Sequence, residues 1–219
     1  MNPWDRDALR ELRAAIAQRD LEAIGRLCAG RELDEVLQLV GDALLDTPDH
    51  PLARECAERL RRRDVEGDTE LADALDGRAS DLRPLAVDVD ELASILEGEP
   101  VRGGGRIDLA SGEIWHGSPY DDIDDDDDPE RWHWVTASSR EGWNDMADFV
   151  ATVADQRLAD RLERAIHGRR AFHRFRAELD HAPDELPRFH QFSDERRRGR
   201  ARRWLADHGV RASGAPSWP

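Results

Sequence analysis

The pattern of apolar and polar residues divides the chain into a helical first part and a mixed second part. From residue 5 to residue 76, apolar residues recur at three- and four-residue spacing, as at Leu9, Leu12 and Ile16. Because this spacing places them on one face of an α-helix, we predict a series of short amphipathic helices. The segment "DTPDHP" (46–51) interrupts the series, since proline does not continue a helix interior. Short connections between the helices favour antiparallel hairpins.

After "GRASDLRP" (77–84) the periodicity changes and predicts strands. Apolar and polar residues alternate in "RIDLASGEIWH" (106–116) around a turn at 110–112, and "RWHWVTA" (131–137) is rich in aromatic and β-branched residues. These features predict a β-hairpin followed by a third strand, which together form a three-stranded antiparallel meander. The glycine run 103–105 is interpreted as a turn.

Helical periodicity returns beyond residue 138, where "SSRE" has the spacing of a capping box. We therefore predict an α+β fold with an N-terminal all-helical domain at 1–78. An α+β domain at 79–211 follows, in which the meander packs with about four helices. Residues 212–219 hold too few apolar side chains to pack, and we expect them to form a disordered tail.

Composition narrows the classes of function. The chain has 219 residues, a net charge of −16 and no lysine, which excludes Schiff-base catalysis and the phosphate-binding lysine of a Walker loop. Cys28 and Cys56 lie in helix-like sequence, which favours free thiols in a reducing compartment over a disulfide framework. No apolar run is long enough to span a bilayer and no secretory signal is recognised. We expect a cytoplasmic protein without a membrane partner.

Charge is distributed unevenly along the chain. Residues 1–156 contain 17 arginines and 39 acidic residues, whereas residues 157–219 contain 15 arginines and nine acidic residues. Such asymmetry is typical either of a nucleic-acid partner or of two parts of one chain that dock on each other. The strongly negative total disfavours broad contact with phosphates, which would be repelled.

Several segments of the second part match a recognisable pattern. They are "GRIDLASGEIWHG", "ADRLERAIHGRRAFHRFRAELD" and "FHQFSDERRRGRARRWLADHGV", and the matching positions are Asp108, Leu109, Gly112, Glu113, Gly168, Ala171, Phe172, Arg174, Phe175, Ala201, Trp204 and Leu205. Over roughly 85–210 the chain resembles the UPF0158 family of uncharacterised bacterial proteins. The resemblance implies an α+β domain and supplies no catalytic residue. The chain departs from the pattern at Phe189 and His190, where a tryptophan–tyrosine pair is expected.

An acidic run, "YDDIDDDDDPE" (120–130), joins the second and third predicted strands. Asp122, Asp124, Asp126 and Asp128 fall on the alternating positions of a calcium loop, but residues 127 and 133 are not the glycine and glutamate that such a loop requires. Loose binding of a divalent cation through these four aspartates is one interpretation. A second is a contact surface for a basic partner, with Asp124 and Asp126 as candidates. A third is a solvated, self-repelling loop.

The opposite feature is "RRRGRARRW" (196–204). On a helix, Arg196, Arg200 and Arg203 share one face, and they are the remaining candidate partner-binding residues. They would contact nucleic acid, a protein partner or the acidic residues of this chain.

Catalytic motifs are absent from the sequence, and the histidines show no metal-ligand spacing. We predict neither catalytic residues nor a cofactor or dedicated metal site. The favoured function is a non-enzymatic protein-interaction or regulatory module with an unknown protein partner. The first alternative is nucleic-acid binding through the arginine face of residues 169–203, and the second is a hydrolase or nucleotide-binding protein without a familiar motif.

Overall fold

The computed structural model describes residues 4–79, 81–97, 104–117, 128 and 131–213. Ten helices and five strands lie in this part of the chain, so the predicted α+β class is confirmed. The helices are α1 (Arg6–Ala17), α2 (Leu21–Cys28), α3 (Leu37–Ala43), α4 (Pro51–Arg63), α5 (Asp68–Leu75), α6 (Val89–Leu96), α7 (Ser139–Val150), α8 (Gln156–Ile166), α9 (Ala171–Leu179) and α10 (Glu185–Asp207). The strands are β1 (Arg83–Leu85), β2 (Gly104–Asp108), β3 (Ile114–His116), β4 (Trp132–Thr136) and β5 (Val210–Ala212).

The helices of the first part begin at local sequence signals. Asp5 accepts a hydrogen bond from the Ala8 amide at the start of α1, and Asp20 caps α2 in the same way, at 2.9 Å each. Pro51 occupies the first turn of α4, where its missing N–H costs nothing. The apolar faces of α1 to α5 pack into one hydrophobic cluster that extends from Trp4 to Leu75.

The predicted three-stranded antiparallel sheet is present, but its strand order is β3-β2-β4. Arg106 of β2 pairs with Trp115 of β3 on one side and with Trp134 of β4 on the other. The first strand in the chain is therefore central, whereas a meander would place the second strand there. Alternation of apolar residues determines which face a strand buries, but it does not determine which strand lies beside it.

The glycine run was wrongly interpreted as a turn, because Gly104 and Gly105 belong to β2. A Cβ atom on Gly105 would lie 2.4 Å from the backbone oxygen of Trp115. Glycine at this position thus permits the close approach of β3 to the central strand.

The inner face of the sheet carries Ile107, Ile114 and Val135. These side chains join a second hydrophobic cluster, which includes Leu92 and Ile95 of α6 and also side chains of α10. Helices therefore cover one face of the sheet. The other face carries none of these cluster residues.

A second, parallel pair of strands joins distant parts of the chain. β1 pairs with β5, and the Ser213 amide donates to the Leu85 carbonyl oxygen at 2.9 Å. Ordered structure therefore continues through Ala212 and Ser213, two residues into the predicted tail. Residues 214–219 lie outside the described part of the chain.

The 23-residue helix α10 is the central element of the second part. It starts at Glu185, because Pro187 falls in its first turn and does not interrupt it. Phe189 and Phe192 of α10 pack edge-to-face on Phe149. Phe149 belongs to a third cluster formed by α7, α8 and α9. None of the helices in the described residues is both long enough and apolar enough to span a membrane.

Candidate interaction surface

The arginines of α10 contact acidic residues from several other helices. The first candidate, Arg196, lies 3.0 Å from Asp148 of α7, and its guanidinium stacks over Phe192. Another, Arg203, remains half-exposed and lies 2.9 Å from Glu70 of α5. Both therefore have partners within the chain.

Arg200, the third candidate, is largely buried, with 11% of its side chain exposed. It donates to both carboxylate oxygens of Asp145, at 3.0 and 2.8 Å, and also contacts Glu97. The three candidate arginines thus share one side of α10, as predicted, but they point towards different acidic partners. A bidentate arginine–carboxylate pair holds its geometry well, which favours a structural role for Arg200.

Two further arginines of α10 are buried. Arg198 makes a bidentate contact with Asp90 of α6, at 2.6 and 2.8 Å. Arg202 donates to the side-chain oxygen of Gln38 at 3.0 Å and also contacts Asp42 of α3. Asp42 lies in the first part of the chain and Asp90 in the second, so the arginine-rich end docks on acids of both parts, which explains the charge asymmetry through contacts within the chain.

A buried polar network joins α10 to the N-terminal helices. Helix α3 has no side-chain cap of its own. Glu195 of α10 supplies one, because its carboxylate accepts from the amides of Gln38 at 2.7 Å and Leu39 at 3.0 Å. The same carboxylate receives Arg63 at 3.0 Å, and Arg63 forms a bidentate contact with the buried Asp68. Only the polar Gln38 inside an apolar run signalled this network in the sequence.

The outer face of the sheet is rich in tryptophan. The strand register places Arg106, Trp115, Trp132 and Trp134 on this side, and His133 on the opposite one. We call the outer side formed by Arg106, Trp115, Trp132 and Trp134 the tryptophan face. Trp115 is 40% exposed, and Trp132 and Trp134 are partly exposed.

Arg106 holds two of these rings together. Its guanidinium carbon lies 4.3 Å from the centre of the Trp115 ring and 4.7 Å from that of Trp132. The two ring centres are 4.8 Å apart, and the Trp115 indole N–H donates to Glu113 at 2.6 Å. The contact of one guanidinium with both rings fixes their orientation, so this pair of tryptophans is organised before any partner arrives.

Asp108 and Arg131 fix the base of the tryptophan face. Arg131 donates twice to Asp108 Oδ2, at 3.0 and 2.6 Å, while the Ala110 amide and the Ser111 hydroxyl also donate to the carboxylate. The bonds from Arg131, opposed by burial and aided by the other donors, hold the pKa of Asp108 well below its usual value. The start of β4 is thereby tied to the end of β2.

The acidic candidates are described only in part. Asp122, Asp124 and Asp126 lie outside the described residues. Asp128 is exposed, and its backbone oxygen accepts from the amides of Arg131 and Trp132, at 3.0 and 2.9 Å. Within the described ranges no group of three histidine, cysteine, aspartate or glutamate side chains is arranged to hold a metal ion. Divalent-cation binding by the acidic run stays a prediction.

Comparison with known proteins bears on the second part of the chain. The family model described as "Uncharacterised protein family (UPF0158)" matches residues 116–214. The chain is similar to this family. The resemblance expected from the sequence is thus confirmed, although the match begins at 116 rather than near 85. No curated protein and no solved structure matches the chain.

The UPF0158-like region contains β3 from His116, β4, α7 to α10 and β5. Five acidic partners of the α10 arginines lie before it in the chain, namely Glu35, Asp42, Glu70, Asp90 and Glu97. Trp132 and Trp134 are inside the matched region, whereas Arg106 and Trp115 precede it. The tryptophan face is therefore completed by two residues, on β2 and β3, that precede the UPF0158 match.

Proposed function

We propose that this chain is a protein-interaction module and that the tryptophan face is its contact surface. The observation that carries the proposal is the presence of three tryptophans on the sheet face that the helices do not cover, with Trp115 40% exposed. Large amphipathic rings held in fixed orientations provide contact area at low entropic cost, and tryptophan is enriched at the energetic centres of interfaces.

Charge narrows the chemistry of the partner. The segment between β3 and β4 contains eight acidic residues, and the whole chain has a net charge of −16. A basic partner would be attracted over a Debye length of about 8 Å at physiological salt. Its arginine or lysine side chains would also stack favourably on exposed indole rings. The partner is therefore a basic segment that also carries aliphatic or aromatic side chains.

Selection from a random peptide library tests this proposal. We expect the full chain to enrich peptides that combine arginine or lysine with aliphatic or aromatic residues. Loss of a central tryptophan contact costs about 2 kcal/mol of binding free energy, or about 30-fold in affinity. We therefore expect Trp115→Ala to bind the selected peptides more weakly by that factor. Phe172→Ala removes another exposed aromatic, on α9 and away from the sheet, and should leave their affinity unchanged.

Three results would refute the proposal. Selection of peptides without basic residues would contradict the proposed basic character of the partner. Unchanged affinity in Trp115→Ala would remove the tryptophan face from the interaction, and equal losses in both variants would indicate a nonspecific effect. Urea unfolding of each variant shows whether the fold is intact.

A second candidate is nucleic-acid binding, and one observation favours it. Phe172 is 49% exposed on α9, close to the exposed Arg169, Arg170 and Arg176. An exposed aromatic ring among arginines suits the stacking of unpaired bases. This patch lies within the predicted range 169–203 but on α9 and just before it, not among the paired arginines of α10.

Fluorescence anisotropy with a labelled single-stranded oligonucleotide at low salt tests this candidate. Binding that weakens in Phe172→Ala and Arg170→Glu, but not in Trp115→Ala, would support it. Absence of binding at low salt would eliminate it, because phosphate contacts are strongest there.

A further inference from the structure

Large apolar side chains are exposed at two places in the described part of the chain. They are Trp115, Trp143 and Phe172. Trp115 belongs to the tryptophan face, whereas the other two lie near the start of α7. The Trp143 indole N–H donates to the Ile166 carbonyl oxygen at 3.0 Å, and a Cβ atom on Gly142 would lie 3.2 Å from the Phe172 ring. One aromatic surface is therefore on the sheet and the other on helices α7 to α9.

The helical surface is basic, and its arginines are unpaired. Arg169, Arg170 and Arg176 are exposed around Phe172. None of these three forms an ion pair with a carboxylate of the described residues. By contrast, every arginine of α10 contacts an acidic side chain. We call the surface formed by Arg169, Arg170, Phe172 and Arg176 the basic face.

The basic face and the tryptophan face are complementary in charge. Residues 157–180, which include α8 and α9, contain seven arginines and four acidic residues, a net charge of +3. At the tryptophan face, Trp115 donates to the exposed Glu113, and the exposed Asp128 lies just before β4. The basic face also offers an aromatic ring, and its arginines can stack on exposed indoles. It therefore has the chemistry expected of the partner of the tryptophan face.

We propose that the tryptophan face binds the basic face of a second copy of this chain. This inference rests on the proposed function and names the partner. The two faces differ, so each bound copy still presents one unused face of each kind at the ends of the assembly. A head-to-tail contact of this type repeats until the assembly closes into a ring or grows as a filament.

The net charge of −16 opposes the approach of two copies only at long range. At physiological salt the Debye length is about 8 Å, so repulsion between distant parts of the two copies is screened. Charges at the contact itself then decide whether the copies associate, and there the two faces have opposite signs. We expect a weak contact that is visible at high protein concentration.

Sedimentation equilibrium of the full chain, from micromolar to millimolar concentration at physiological salt, tests this proposal. The average mass should rise from the monomer mass of 24.8 kDa to more than twice that value. Trp115→Ala damages one face and the double variant Arg170→Glu/Phe172→Ala damages the other, so each variant alone should stay monomeric. Arg54→Glu reverses another exposed arginine, on α4, and should assemble like the wild type.

Mixing the two defective variants gives the sharpest test. Each retains the face that the other lacks, so an equimolar mixture should form a complex of twice the monomer mass. The complex should grow no further, because both faces left at its ends are the damaged ones. Circular dichroism of each variant shows whether the fold is intact before mixing.

The other outcomes overturn the proposal. They are a wild type that stays monomeric, assembly that persists in either variant, and a mixture of folded variants that stays monomeric or grows beyond two copies. Assembly that disappears after nuclease treatment overturns it as well, because nucleic acid would then bridge the copies. A monomeric chain that still enriches basic peptides would refute this inference alone, whereas failure of both experiments would also refute the proposed function.

Discussion

Replacing Gly199 with alanine should destabilise the chain, although alanine is the better helix former. Gly199 lies within α10, and a Cβ atom there would be 2.1 Å from the backbone oxygen of Glu66. Gly67 faces the same point, because its own Cβ atom would be 2.0 Å from the Gly199 oxygen. The turn before α5 and the middle of α10 are therefore in direct backbone contact. An added methyl group would meet backbone atoms here, so no flexible side chain can move aside to make room for it.

The size of the effect follows from the shift that the methyl group requires. Ordinary contact begins at 3.4 Å, so the backbones must separate by about 1.3 Å. Two nearby hydrogen bonds, from Leu39 to Glu195 and from Arg202 to Gln38, are 3.0 Å long. The separation would stretch their donor–acceptor distances beyond the range of a hydrogen bond. Two bonds to charged groups contribute about 4 kcal/mol, and helix propensity returns about 1 kcal/mol. We expect a net loss of about 3 kcal/mol.

Gly25 provides the matched control. It is also a helical glycine, in α2, and a Cβ atom there would meet nothing within 4 Å. Gly25→Ala should therefore stabilise the chain by about 1 kcal/mol. Urea unfolding followed by circular dichroism measures both variants. If Gly199→Ala were as stable as the wild type, the backbone contact between α10 and the turn at 65–67 would be refuted.

Two further predictions concern charge. Glu195→Gln should lower the free energy of unfolding by about 3 kcal/mol, measured with urea, because it leaves Arg63 and the start of α3 without their buried carboxylate. Asp207→Asn, which removes an exposed i,i+4 pair on the same helix, should cost at most about 1 kcal/mol, and a similar loss in both would contradict the buried network. Asp108→Asn should cost about 2 kcal/mol at neutral pH. Because the pKa of Asp108 is lowered in the folded state, the ionised carboxylate stabilises the fold at any pH above its pKa in the unfolded chain, about 3.9. This stabilisation fades as the pH falls below that value, and the cost of Asp108→Asn should fade with it. A cost that does not depend on pH would count against the Arg131 contact.

Contacts within the chain change the meaning of the arginine-rich segment. In the sequence, the residues around Gly199 look like a surface for an external partner. In the structure, Arg198, Arg200 and Arg202 are engaged by Asp90, Asp145 and Asp42. These pairs place α10 against α3, α6 and α7, so Arg202 docks the two parts of the chain on each other, whereas Arg198 and Arg200 hold the second part together. The candidate contact surfaces are elsewhere, on the sheet and on α9.

The sequence alone determined the local structure. Helical periodicity located α1 and α2, and the proline-containing segment 46–51 marked the break before α4, since each of these signals acts within a few residues. Alternation in "WHW" placed Trp132 and Trp134 on one face of a strand and His133 on the other, because the side-chain period of a strand is two. The family resemblance located the second part and is confirmed over 116–214.

Tertiary structure decided everything that joins distant residues. The order β3-β2-β4, the pairing of β1 with β5, and the cap that Glu195 places on α3 depend on contacts between residues far apart in the chain. Periodicity carries no information about such neighbours, because it reports only which face of an element is buried. For the same reason, the contact of Arg106 with both Trp115 and Trp132 emerged only when two flanking strands brought their rings over the central one.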